Sequence, residues 1–219
     1  MNLSADKLLF EKRLSDFSAD PTDTPKMLAY FSTAVTFSDE KQLEQLLLLG
    51  KQNNIKRQFF YEIVLMSYLF LGFPRMLNAA IVLDKIYPNT ENSNTGAITA
   101  EEAQNWFEAG HKLCAQVYKD KYEPLKKRFE KIAPEVYRWM IVEGYGKVLS
   151  REGMAIKDRE LAIIVFLMLE NRPKQLESHI RGFFNVGGEP SELNLVLEEL
   201  GEIAGDGYHS ARKIISEVA

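Results

Sequence analysis

Apolar positions recur at helical spacing along almost the whole chain, and no stretch shows the sustained period-two alternation of a half-buried strand. Leu8, Leu9, Phe10, Leu14 and Phe17 give a first helix over Leu3 to Phe17, ended by Asp20-Pro21-Thr22-Asp23. A second runs from about Pro25 to Phe37. Ser38 is the expected N-cap of a third, because its oxygen can accept a first-turn amide ahead of Leu43, Leu46, Leu47 and Leu49. Asn53-Asn54 stops that helix. Gln58 to Leu71 is apolar nearly all round, the pattern of a helix buried on most sides or covered by a partner subunit. Gly72-Phe73-Pro74 breaks it, a further helix reaches about Tyr87, and the polar Pro88 to Ile98 segment reads as a linker.

Beyond the linker, Thr99-x-x-Glu102 forms a capping box for a helix toward Val117. Alternating charge over Lys119 to Lys131 suggests a solvated helix or connector, and another helix is expected over Glu135 to Leu149. Lys157 to Glu170 is a strongly buried helix ending at Asn171-Arg172-Pro173, where Asn171 is the expected cap and Pro173 the first turn of the next. That helix carries Leu176, Ile180, Phe183 and Phe184 and ends at Gly187-Gly188. Ser191 is expected to cap its successor, Gly205-Asp206-Gly207 closes that one, and Tyr208 to Val218 is last. The fold class is therefore all-α. A shift of about 134 residues lays the breaks of the first half over those of the second, which suggests a degenerate internal duplication: residues 1–90 as one repeat, 91–219 as the other, in one compact unit.

Composition narrows the function. The 219 residues hold 27 Lys and Arg against 31 Asp and Glu, a net charge of −4 that gives no basic excess for nucleic acid. The longest apolar runs, Ile63 to Phe73 and Leu161 to Leu169, fall well short of the roughly 20 residues that span a bilayer, and Met1 to Phe10 holds no signal-length apolar stretch. Cys114 is the only cysteine, so neither an intrachain disulfide nor a Cys-x-x-Cys pair can form. These features read as a cytoplasmic protein without membrane or nucleic-acid partners.

Chemistry must come from three histidines, one cysteine and the carboxylates. His111 and Cys114 share a helix face, but no second pair completes a metal site, so packing is the expected role. His209 follows a glycine turn and is expected to cap or pack. Glu160 and His179 lie on consecutive helices. In an antiparallel hairpin they stand about 15 Å and about 10 Å from the turn, at about 1.5 Å per residue. Two inward side chains span most of an axis separation of about 8 to 10 Å, so a direct or water-bridged contact is within reach. A neighbouring carboxylate suits such a histidine to proton transfer. The bland alternatives are a first-turn glutamate favoured by the helix dipole and a histidine that merely packs.

The run Tyr145 to Met154, then Asp158-Arg159-Glu160-Leu161, then Gln175 to Gly187, resembles the carboxymuconolactone decarboxylase family of the alkylhydroperoxidase D-like superfamily. Tyr61-Glu62-Ile63 through Gly72-Phe73-Pro74 to Leu77-Asn78-Ala79 looks like the family's Tyr-x-Gly-x-Pro helix. The resemblance implies an alkylhydroperoxidase D-like bundle of helical hairpins and a trimer-based homo-oligomer, hexamers included. It also implies either cofactor-free decarboxylation of a small lactone or thiol peroxidase activity. On the peroxidase pattern Glu160 and His179 match the relay glutamate and histidine, while Arg172 and Gln175 stand where the two cysteines belong. A disulfide cycle needs a thiolate and a resolving thiol, so peroxidase activity is disfavoured. The expectation is a lyase with His179 as acid/base, Glu160 orienting it, no metal or other cofactor, and Arg159, Arg172 or Arg181 binding a substrate carboxylate. A non-catalytic oligomeric scaffold is the competing reading.

Overall fold

The computed structural model describes residues 3–17, 23–90 and 96–218, with the backbone alone for residues 3–6. Positions 20–22 of the first expected helix stop, and 91–95 of the expected linker, lie outside the described residues. Every regular element among the described residues is helical: α1 (Leu3–Asp16), α2 (Thr24–Phe37), α3 (Glu40–Gln52), α4 (Arg57–Leu71), α5 (Phe73–Ile86) and α6 (Ala100–Tyr118) come first. A short 3₁₀ turn (Lys119–Lys121), α7 (Tyr122–Ile132) and α8 (Pro134–Trp139) lead into a π-helical segment (Met140–Leu149). Then follow α9 (Ile156–Leu169), α10 (Pro173–Asn185), α11 (Pro190–Ala204) and α12 (Asp206–Val218). No helix among them is long and apolar enough to cross a membrane.

Two helices form the centre. Every residue of α9 from Arg159 to Leu169 is buried, as is every residue of α2 from Met27 to Thr36, and the two pack against each other. Each large apolar side chain that this pair removes from water contributes about 1.5 to 3 kcal/mol. Around it, α4 packs on α9 and α11 on α2, while α3 pairs with α5 and α10 with α12.

The arrangement repeats along the chain. Ser38 and Asn171, Asn54 and Gly187, Gly72 and Gly205 all have positive φ, and each pair is 133 positions apart. At the second pair the turns close identically. Asn54 N–H donates to Lys51 O and Ile55 N–H to Gly50 O (3.2 and 2.9 Å), matched by Gly187 to Phe184 and Gly188 to Phe183 (3.2 and 2.8 Å). The structural offset is thus 133, one less than the sequence shift, because the turn hydrogen bonds align rather than the Asn-Asn and Gly-Gly pairs.

Three expected caps shift. Ser38 is left-handed (φ 54°) and closes α2, so the adjacent Asp39 caps α3 by accepting from Gln42 N–H at 3.1 Å. Asn171 (φ 51°) likewise closes α9 instead of capping α10. Pro190 sets the start of α11, which puts Ser191 inside the helix, and the Glu192 carboxylate accepts from Glu189 N–H at 2.9 Å. The capping box at Thr99 and Glu102 is present as expected.

The helix expected over Glu135 to Leu149 divides into α8 and the π segment. The π segment crosses α6 closely. A Cβ at Gly110 would stand 2.1 Å from Ile141 O, and one at Gly146 would stand 2.0 Å from Trp106 O, so the two backbones touch directly. The π segment extends beyond the single turn usual for such geometry, which occurs most often at functional sites.

Candidate functional site

The α9–α10 hairpin turns tightly at Asn171, and it brings the sequence-derived pair together: His179 Nδ1 lies 2.7 Å from Glu160 Oε2. Glu160 is fully buried and His179 is 8% exposed. Gly182, one turn beyond His179, makes room for the carboxylate, since a Cβ there would stand 3.1 Å from Glu160 Oε2 and 2.7 Å from Val117 Cγ1. With Nδ1 committed to Glu160, Nε2 is the imidazole nitrogen left for a ligand. The second carboxylate oxygen, Oε1, is buried without a partner among the described residues. Phe70 of α4 stands edge-on to the imidazole with ring centres 5.5 Å apart, so the other half of the chain supplies part of the wall.

His179 lines a cleft of about 550 Å³, within the size range of small-molecule sites. Its walls are mostly apolar, with Phe70, Leu125, Phe129, Trp139 and Met140 among them. Glu143 from the π segment also lines it and accepts hydrogen bonds from Tyr68 and Lys147. Arg128 and Lys174 are the cations of the lining, and neither forms an ion pair among the described residues.

The three arginines expected to bind substrate stand elsewhere. Arg159 is fully buried, with Nη2 2.9 Å from Glu62 Oε2 and 2.8 Å from Arg151 O. Arg172 is exposed beside Glu170 at 3.9 Å. Arg181 pairs with Glu177 at 3.0 Å and lines a neighbouring depression. Gln175, in the position of a family cysteine, does line the cleft. Arg128 was hidden in the charge-alternating Lys119 to Lys131 stretch, where nothing separates one solvated cation from the next. The Gly144-x-Gly146 spacing is the one local trace of the π segment.

Cys114 is buried, and burial together with the Glu160 charge pushes its thiol up to about 12. Tyr118 rises to about 12 and Tyr145 well above its ordinary value, burial being the main cause for both and the Glu160 charge adding to it. The thiol and both phenols therefore stay protonated near neutral pH around a single carboxylate. His111 turns away from Cys114 to the Tyr122 hydroxyl, which lies 3.2 Å from that of Tyr137. Burial is the main cause of its lowered pKa. His209 is exposed against Tyr208. No group of three or more His, Cys, Asp or Glu among the described residues could hold a metal ion. Comparison with protein-family models and with curated proteins gives no match.

Proposed function

We propose that the chain is a carboxymuconolactone decarboxylase-like lyase of the alkylhydroperoxidase D-like superfamily, duplicated internally, that acts on a small lactone or related carboxylic acid by proton transfer. The observation that carries this reading is the buried Glu160–His179 pair at the wall of an apolar cleft whose two cations form no ion pair among the described residues. The 133-residue correspondence of turns supports the duplication. In that register Glu160 meets Met27 and His179 meets Leu46, so the acid/base pair belongs to the second half alone.

The chemistry needs a carboxylate placed β to a carbonyl, or on the saturated carbon γ to the carbonyl of an enone. The bond to the carboxylate carbon breaks, its electron pair passes onto the carbonyl as an enolate, and carbon dioxide leaves. His179 Nε2–H then protonates the carbon, while Glu160 holds Nδ1–H and balances the imidazolium charge. Arg128 and Lys174 take the anchoring role first given to Arg159, Arg172 and Arg181, one holding the substrate and the other the developing enolate oxygen. Apolar walls favour loss of the carboxylate charge. The buried, protonated Cys114 weighs against peroxide reduction, which requires a thiolate.

Turnover of carboxylated lactones, followed as carbon dioxide release by wild type, Glu160→Gln and His179→Asn, tests the assignment. General acid/base catalysis contributes about 10² to 10⁴-fold, so His179→Asn should lose at least about 100-fold in kcat. Full activity in both variants would sink the roles given to the pair. A trimer-based homo-oligomer remains part of the proposal, checked by light scattering.

A further inference from the structure

A second cleft, of about 640 Å³, opens between the start of α4, the end of α5 and Arg151. Lys51, Lys56, Arg57 and Arg151 line it, and no carboxylate among the described residues does. In a chain of net charge −4 this is a local concentration of one sign. Two of these cations are positioned without being neutralised. Lys51 Nζ donates to Ile86 O and Arg57 Nε to Tyr87 O, each at 3.0 Å. The Arg57 and Arg151 guanidinium groups lie 4.6 and 5.9 Å from the centre of the Tyr61 ring. Arg151 does reach Glu62 at 3.2 Å, but that carboxylate is fully buried and is also the partner of Arg159.

The helix start carries a second, independent signal. Lys56 is the N-cap of α4 without a side-chain cap hydrogen bond, Arg57 follows, and the first turn holds no acid. Two cations at the positive end of a helix dipole oppose the local electrostatic preference. Capping of the α5 C-terminus explains one bond each from Lys51 and Arg57, and the Tyr61 ring supports the Arg57 guanidinium, which leaves Lys56 and the Arg57 Nη groups without a hydrogen bond or ion pair among the described residues. An anion removes the conflict, because amide N–H groups and cations then converge on the same oxygens.

We propose that this cleft binds a small molecule through a phosphate or diphosphate group. The donors that the four lining cations carry outnumber what one carboxylate can accept, and the volume fits a small ligand. Isothermal titration of the full chain with inorganic pyrophosphate tests it. One site per chain is expected, weakening as salt is raised, with Lys56→Gln/Arg57→Gln lowering affinity at least about 10-fold through the lost charge-assisted bonds. Lys56→Gln alone removes a charge unfavourable to α4 and breaks no hydrogen bond or ion pair among the described residues, so its thermal melt should not fall, whereas the double variant also gives up the Arg57 bond to Tyr87 O. Absence of binding at low salt, or unchanged affinity in the double variant, overturns the proposal. So does a larger loss in Lys174→Gln, which would put the anion in the His179 cleft, or tighter binding of a single-stranded oligonucleotide.

Discussion

The Glu62–Arg159 pair permits a sharp stability test, because both side chains are fully buried while their other partners differ. Glu62 also accepts from Arg151 at 3.2 Å and from Gln58 at 2.6 Å. Arg159 has no other carboxylate within salt-bridge distance among the described residues, and its Nε and Nη1 are already without partners. Glu62→Gln preserves shape and strands the guanidinium in the core, for which removal of one partner typically costs about 3 to 5 kcal/mol. In a chain of this size each kcal/mol lowers Tm by about 2 to 4 °C, so a drop of about 6 to 20 °C is expected. Arg159→Met should cost less, since Glu62 keeps two donors and methionine fills the space. Replacing both with apolar residues of similar volume should recover most of the loss. Thermal melts and urea unfolding of the three variants decide this. If Glu62→Gln falls no further than Arg181→Gln, which breaks an exposed pair worth about 0.3 to 0.5 kcal/mol, the argument from burial fails.

Two further outcomes follow from geometry and from titration. Gly146→Ala places a Cβ on the Trp106 carbonyl and should destabilise by about 1 to 3 kcal/mol or more, whereas Gly144→Ala meets nothing within 4 Å and should be neutral or slightly stabilising. Equal melts for the two would remove the close crossing as the reason for Gly146. Cys114 has its thiol raised from the ordinary 9.0 to about 12. The unfolded chain therefore releases this proton first, and the stability it contributes is complete below about pH 9 and lost as pH rises toward 12. Cys114→Ala should flatten the fall in unfolding free energy just above pH 9, and thiol reagents should label the native chain only after unfolding.

The Glu160–His179 contact was legible because it depends on two local quantities, helical rise and a tight turn at Asn171, both written in consecutive residues. The caps were less so. Ser38 and Asp39 are both capping residues, and only the left-handed backbone at Ser38 decides between them. The cations of the cleft were not legible, since Arg128 is one of several similar cations in the Lys119 to Lys131 stretch while Arg159, beside Glu160 in sequence, is claimed by Glu62. Nor does periodicity separate an α-helix from the wider π turns of Met140–Leu149, which carry Glu143 and Tyr145 to the cleft.

The repeated turns come with crossed ion pairs. Arg159 on α9 reaches back to Glu62 on α4, and Lys26 on α2 reaches forward to Glu199 on α11 at 3.1 Å. In the 133-residue register Lys26 and Arg159 are counterparts, so each half lends a cation to a carboxylate of the other. The halves therefore clasp one another reciprocally through these two pairs. Continuity of the chain between α5 and α6 contributes neither of those bonds: cut there, the two pieces still carry every group needed to find each other.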